Sequence, residues 1–269
     1  MKKVCILGRG PSLEAFKKAD IDDVTDVLLL NNHVSTIADP ASRAKLEGKK
    51  LHIMCNISQT GFVAGALEKI EITTCITNRF KPDWELWQQY KDAQRKHHEG
   101  GHLNNLGYLP PLAEDEPYLY AWRGPKGRNT NNMQTYDGRP IEHMPEEAEK
   151  YVIPIYQQKL VCNCAYYGTL YALLKLNADY IIYYGLDFYD NLSLKKEWYG
   201  NPPPYLSSEW WNLRVKYEGE HMKFMWDNFL CLDFPERIFE INTTADLAVK
   251  SSNIIYNKVT SEKSKSTYY

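Results

Sequence analysis

Residues 4–13 read VCILGRGPSL, and this stretch constrains the fold more than any other part of the chain. Val4, Cys5, Ile6 and Leu7 form a short apolar run that suits a buried strand. Gly8, Arg9, Gly10 and Pro11 break it, and Leu13, Phe16 and Ala19 then recur at helical spacing. The pattern predicts strand, tight turn, helix. Ser12 suits the N-cap, because its hydroxyl can accept from an amide of the first helical turn. Gly8 and Gly10 tolerate positive φ and let another molecule approach the backbone. Free amides and the positive end of the helix dipole then favour an anion above the turn, most often a phosphate. The pattern is not a dinucleotide fingerprint, since Leu13 stands where a third glycine is required. It is not a P-loop either, since no Gly-Lys-Ser/Thr follows. The alternative is a strand-to-helix turn that needs glycine for its own geometry.

Further runs repeat the theme. Residues 26–30 (DVLLL) lead to Asn31-Asn32-His33, and 51–55 (LHIMC) lead to Asn56. Residues 70–77 are a further apolar stretch. Residues 180–184 (YIIYY) lead to Gly185, Leu186, Asp187, Phe188 and Tyr189. Residues 237–241 form a last strand and lead to Asn242-Thr243-Thr244, where a short helix is expected. Between them, 160–176 is apolar or small nearly all round and predicts a buried helix. Uninterrupted apolar strands alternating with helices predict an α/β fold. The expected form is an open, Rossmann-like, mostly parallel sheet flanked by helices. Ligands of such sheets sit beyond the carboxyl ends of the strands. Asn31, Asn56, Gly185 and Asp187 therefore become candidates beside the 8–12 turn. Asparagine also terminates strands on its own account.

Residues 80–150 are expected to be an irregular insertion with one helix near 83–97. His97, His98 and His102 beside Glu99 resemble a metal cluster only superficially, because Gly100-Gly101 makes a solvated loop the better reading. Arg123, Lys126 and Arg128 form a small basic loop, suited to an acidic substrate or simply to solvent. Residues 190–220 hold Trp198, Tyr199, three consecutive prolines, Tyr205, Trp210 and Trp211 without a period, which suits an aromatic-rich lid. His221 then opens a helix. The organisation expected is one α/β nucleotide-binding domain over 1–259, with the insertion, the lid and a disordered polar tail over 260–269.

The formal net charge is −2, so bulk charge offers no case for nucleic acid. No stretch approaches the ~20 apolar residues of a membrane span, and the N-terminus does not read as a signal peptide. The six cysteines include no CxxC pair, which suits reduced thiols in a cytoplasmic protein.

The ordered set GxGPSL, DVxxxN, a strand ending in Asn, and GLDFY resembles the bacterial lipooligosaccharide sialyltransferases of glycosyltransferase family 42, over residues 1–60 and 160–245. GxGPSL alone is also similar to the 6-hydroxymethylpterin diphosphokinase-like and motility-associated glycosyltransferase family. The first resemblance implies a metal-independent, inverting transfer of a sialic-acid-like sugar from a CMP-sugar donor to a glycan acceptor, with no cofactor. It implies that Gly8, Gly10, Ser12, Asn31 and Asn56 hold the nucleotide, that Gly185 and Asp187 contact the nucleoside, and that Tyr189 bonds the departing phosphate; Arg9 and Asn163 are further nucleotide-binding candidates of this chain's own, outside the family pattern. A histidine of the lid region serves that family as general base, and His221 is the candidate by chemistry. The chain differs from the family in carrying Arg9 between the glycines, where asparagine is usual. It also has Lys195 in place of a second phosphate-binding tyrosine, with Tyr199 nearby, and 162–166 in place of an Arg-x-Thr-Ser-Gly stretch.

The chemistry needs these groups for stated reasons. A leaving phosphate needs hydrogen bonds or positive charge as it gains electron density. The acceptor hydroxyl needs a base that titrates near the working pH, as histidine does. A lid keeps water from hydrolysing the activated sugar. Two other readings stay open: an ATP-dependent pterin diphosphokinase-like enzyme, and a nucleotide-binding protein without catalysis. Homo-oligomerisation is also left open.

Overall fold

The computed structural model describes residues 1–30, 33, 36–37, 39–54, 72–77, 135–136, 139–157, 163–188, 190 and 219–260. The described strands are β1 (Lys3–Leu7), β2 (Val24–Leu30), β3 (Lys50–Met54), β4 (Ile72–Thr77), β5 (Thr135–Tyr136), β6 (Arg139–His143), β7 (Tyr180–Tyr184), β8 (Ile238–Thr243) and β9 (Ile254–Lys258). They form one sheet in the order β5-β6-β4-β3-β2-β1-β7-β8-β9. Every neighbouring pair is parallel except the short β5–β6 hairpin. The chain is thus an α/β protein, and its strand order reverses between β1 and β7.

Side chains alternate between two cores, one on each face of the sheet, as a pleated strand requires. Val4, Ile6, Leu28, Leu30, Ile181, Tyr183, Phe239 and Ile241 point to one face. Cys5, Leu7, Val27, Leu29, Ile182 and Tyr184 point to the other. Burial on both faces is why these strands carry unbroken apolar runs. The second face is covered by a 3₁₀ helix, Pro11–Lys18, through Phe16, and by α1 (Pro40–Leu46) through Leu46. The first is covered by α2 (Glu149–Gln157), α3 (Cys164–Leu174) and a helical stretch over 219–233, here α4. α3 has residues 165–173 all buried, so the helix has no solvent stripe. Thr169 is accommodated there by donating to the Ala165 carbonyl and by lying 2.8 Å from the Tyr183 hydroxyl. α4 contains a wider π-type turn at Trp226–Leu230. Trp226 meets Tyr166, Tyr183 and Phe188 edge-on, with ring centroids about 6 Å apart.

The apolar runs also hide a polar set. His52 Nε2 lies 3.0 Å from Asp26 Oδ1, and Nδ1 lies 2.7 Å from Thr74 Oγ1, all three buried. Lys2 Nζ stands 3.4 Å from the same carboxylate. The set joins β2, β3 and β4 and satisfies polar groups that would otherwise be costly to bury.

Several expectations change. The element after the first turn is a 3₁₀ helix with Gly10 at its N-cap, and no side chain caps it. β8 is not the last strand. No helix begins at Asn242-Thr243-Thr244; the chain runs irregularly from there to β9. The end of the 80–150 segment supplies β5, β6 and the start of α2, with β6 extending the sheet beside β4. The helix expected over 83–97, His97, His98, His102 and the basic loop at 123–128 lie outside the described residues. So do most of the 190–220 lid and the tail beyond residue 260. Among the described residues, no helix is long and apolar enough to cross a membrane.

Candidate functional site

The site is set by strand register. Leu7 pairs with Tyr184 across β1 and β7, and Tyr184 pairs with Asn242 across β8. The next residues of the three strands therefore fall level with one another: Gly8, Gly185 and Thr243. Gly8 and Gly185 meet backbone to backbone. A Cβ on Gly8 would stand 2.8 Å from the carbonyl carbon of Gly185 and closer still to its oxygen. A Cβ on Gly185 would stand 2.6 Å from the carbonyl carbon of Gly8, and Gly185 also takes φ +73°. The molecule that approaches the Gly8 backbone is thus its own chain. Gly10 has φ −79°, which any residue adopts. The demand for positive φ falls on Gly185.

The amides of Gly8, Gly10, Ser12 and Leu13 are engaged within the protein. Gly8 N donates to the Tyr184 carbonyl at 2.7 Å, and Gly10 N donates to the Gly185 carbonyl at 2.8 Å. Ser12 N donates to Asp187 Oδ2 at 2.9 Å, and Leu13 N donates to the Gly10 carbonyl at 3.0 Å. Pro11 has no N–H to give. The amides of Gly8, Gly10 and Ser12, expected to be free for a phosphate, instead form a ladder that fastens the first turn to the end of β7.

Asp187 is the centre of that fastening. It is 2% exposed. Oδ2 accepts from the Ser12 amide and from the Ser12 hydroxyl at 2.8 Å. Oδ1 accepts from Thr243 Oγ1 at 3.0 Å, Thr244 N at 2.6 Å and Thr244 Oγ1 at 2.8 Å. Five neutral donors surround a group with about four lone-pair directions. Ser12 Oγ in turn accepts from Gly185 N at 2.8 Å. The Ser12 hydroxyl is drawn to these partners across the sheet, which is why it does not cap its own helix. The geometry gives Asp187 the role of tying three strand ends together, where direct nucleoside contact was expected.

The chain leaves Asp187 under strain. Phe188 has φ 51°, a left-handed conformation that costs a bulky residue about 1–2 kcal/mol. Its ring, 2% exposed, packs on Trp226 and holds the backbone there. Asp190 N then donates to the Asp187 carbonyl at 3.0 Å. The Asp190 carboxylate meets Lys223 Nζ at 2.5 and 2.6 Å. That pair ties α4 to the exit of β7, and His221 stands two residues before Lys223 on the same helix, half-buried.

Arg9 is half-buried between the two glycines. Its charge reaches His33, just beyond the end of β2. His33 is 1% exposed, and burial together with Arg9 pushes its imidazole down to about 3, so the ring is neutral. Nδ1 lies 3.0 Å from Thr36 Oγ1. The Leu7 and Leu30 carbonyls flank the ring and favour its charged form, yet Nε2 makes no hydrogen bond to either.

Asn163 is the N-cap of α3. Its Oδ1 accepts from Ala165 N at 3.0 Å and Tyr166 N at 3.1 Å. Asn31, Asn56, Tyr189, Lys195 and Tyr199 lie outside the described residues. The structure therefore gathers Gly8, Gly10, Ser12, Gly185 and Asp187 into one bonded unit, with Arg9 on it, and gives Asn163 a helix to cap. Thr243 and Thr244 are the members that sequence reasoning missed. Their signal was present, since they follow a strand at its carboxyl end as Asp187 does. Comparison with protein-family models, with curated proteins and with solved structures finds no significant match to the chain.

Proposed function

We propose that the chain is a glycosyltransferase that moves a sialic-acid-like sugar from a CMP-sugar donor to a glycan acceptor, inverting the anomeric centre without a metal. The observation that carries this reading is the reversal of strand order between β1 and β7, with two glycine-bearing turns locked together at that point. In open α/β sheets, ligands occupy the crevice beyond the strand ends where the order reverses. In this reading the sheet is used as Rossmann-like sheets are. The resemblance of GxGPSL and GLDFY to the lipooligosaccharide sialyltransferases supplies the ligand class.

In this reading the locked turns form the floor of the nucleotide site. Arg9 and Tyr189 stabilise the leaving phosphate, and Asn31 and Asn56 complete the pocket from β2 and β3. His221 removes the acceptor proton, and 190–220 closes over the sugar. The enzyme would act in the cytoplasm.

A nucleotide survey by thermal shift, with and without Mg²⁺, tests the reading. CMP and a CMP-sugar should raise Tm in the absence of metal. Stabilisation by ATP only with Mg²⁺ would favour the diphosphokinase reading, and CMP binding without donor turnover would favour a non-catalytic one. His221→Ala should lose rate by a factor on the order of 10² with CMP affinity intact.

A further inference from the structure

We infer that the anionic group of a ligand in the β1–β7 crevice is bound by the backbone amides of Leu186, Asp187 and Phe188, in the turn after β7. The group taken there is a phosphoryl group. The inference rests on the reading of the crevice as a nucleotide site, and it names the donors that hold the phosphate.

The two turns at the reversal of strand order use their amides differently. In the turn after β1, Gly8, Gly10, Ser12 and Leu13 all donate to partners in the protein. In the turn after β7, Gly185 N donates to the Ser12 hydroxyl and Asp190 N donates to the Asp187 carbonyl. Between these two, the amides of Leu186, Asp187 and Phe188 make no hydrogen bond among the described residues. The three residues are 5%, 2% and 2% exposed, so their amides are not simply given up to bulk solvent. Buried backbone donors without a partner are rare, and consecutive ones mark a place where a partner belongs.

The backbone of the turn suits a converging set of donors. Gly185 has φ 73° and Phe188 has φ 51°, while Leu186 and Asp187 between them stay out of the left-handed region. Successive amides in turns of mixed handedness form concavities that bind anions. A left-handed glycine is ordinary, but a left-handed phenylalanine is an outlier. Such strain persists where the surroundings over-determine it, and it clusters at ligand sites. Phe188 is held by its ring on Trp226, with centroids 5.9 Å apart, and by Asp190, whose carboxylate bonds Lys223. The negative charge of Asp187 is dispersed over hydrogen bonds from Ser12, Thr243 and Thr244. It therefore opposes an anion at these amides less than a bare carboxylate would. The turn also lies beyond the carboxyl end of β7 where strand order reverses, the place ligands of open α/β sheets take.

The test follows the backbone amide resonances of the full chain by NMR while cytidine, CMP and inorganic pyrophosphate are added in turn. CMP and pyrophosphate should move the amide protons of Leu186, Asp187 and Phe188 downfield and slow their exchange, and cytidine should do neither. Replacing Asp187 by its α-hydroxy counterpart removes one of the three N–H groups and keeps the carboxylate. That change should weaken CMP and pyrophosphate ~10–100-fold, the scale of a lost charge-assisted hydrogen bond, and leave Tm and cytidine binding unchanged. CMP binding that leaves residues 186–188 undisturbed, or shifts confined to the amides of residues 8–13, overturns the inference and leaves the nucleotide reading standing. Pyrophosphate bound at 186–188 with no nucleotide bound supports the inference and sinks the glycosyltransferase reading. Binding of none of the three overturns both.

Discussion

The carboxylate of Asp187 accepts from both the amide and the hydroxyl of Ser12, at 2.9 and 2.8 Å, across 175 residues of chain. The bond pair joins the turn after β1 to the turn after β7. It joins two separate loops into one bonded unit at the point where strand order reverses.

Asp187→Asn should therefore destabilise the fold as well as the site. The substituted amide would present N–H to at least one of five donors, and a buried donor left unmatched costs about 1–3 kcal/mol. We expect a loss of roughly 3 kcal/mol in urea unfolding, with nucleotide affinity falling in step. Unchanged stability with abolished binding would return Asp187 to direct ligand contact.

Three glycines separate collision from conformation. Gly8→Ala should cost about 3 kcal/mol or more, because overpacking here is against backbone that cannot rotate away. Gly185→Ala should cost at least as much, since φ +73° adds strain to the collision. Gly48 has φ +75° with open space around it, so Gly48→Ala should cost only about 1 kcal/mol. Equal losses at all three positions would mean that the Gly8–Gly185 contact is loose.

His33 makes stability depend on acid. Its ordinary value is 6.5 and burial beside Arg9 lowers it to about 3. As pH falls through 6.5 the unfolded chain takes up this proton and the native chain does not. The native state thus loses ground down to about pH 3, by up to about 1.4 kcal/mol per pH unit. Above pH 6.5 the residue contributes no slope. His33→Gln should flatten the stability profile between pH 6.5 and 4 relative to wild type. An identical slope in the variant would place the titration elsewhere.

Asn163 offers a clean separation of capping from binding. Asn163→Ala should cost about 1 kcal/mol through two lost cap bonds. Asn163→Asp should keep the cap and favour the helix dipole. If Asn163 also touches a nucleotide phosphate, the aspartate variant will melt like wild type yet bind CMP more weakly. Equal affinity confines the residue to α3.

Strands β1, β2, β3 and β7 were legible because each is buried on both faces and so writes itself as an unbroken apolar run. Residues 180–184 coincide with β7, and 4–7, 26–30 and 51–55 fall within a residue or two of β1, β2 and β3. β6 and β9 were not legible. β6 has a proline and charged residues, and β9 alternates at an exposed edge, so neither carries the buried-strand signature. The importance of Gly8, Ser12, Gly185 and Asp187 could be read locally, since each breaks or follows a strand. Their purpose could not, because it depends on which strand lies next to which. Only the placement of β7 beside β1, with Leu7 level with Tyr184, sets Gly8 against Gly185 and turns the Ser12 hydroxyl from its own helix to Asp187. Local propensity selects the elements along a chain. Partner choice across 175 residues is decided by burial and hydrogen-bond satisfaction in three dimensions, and that decided what the glycine turn is for.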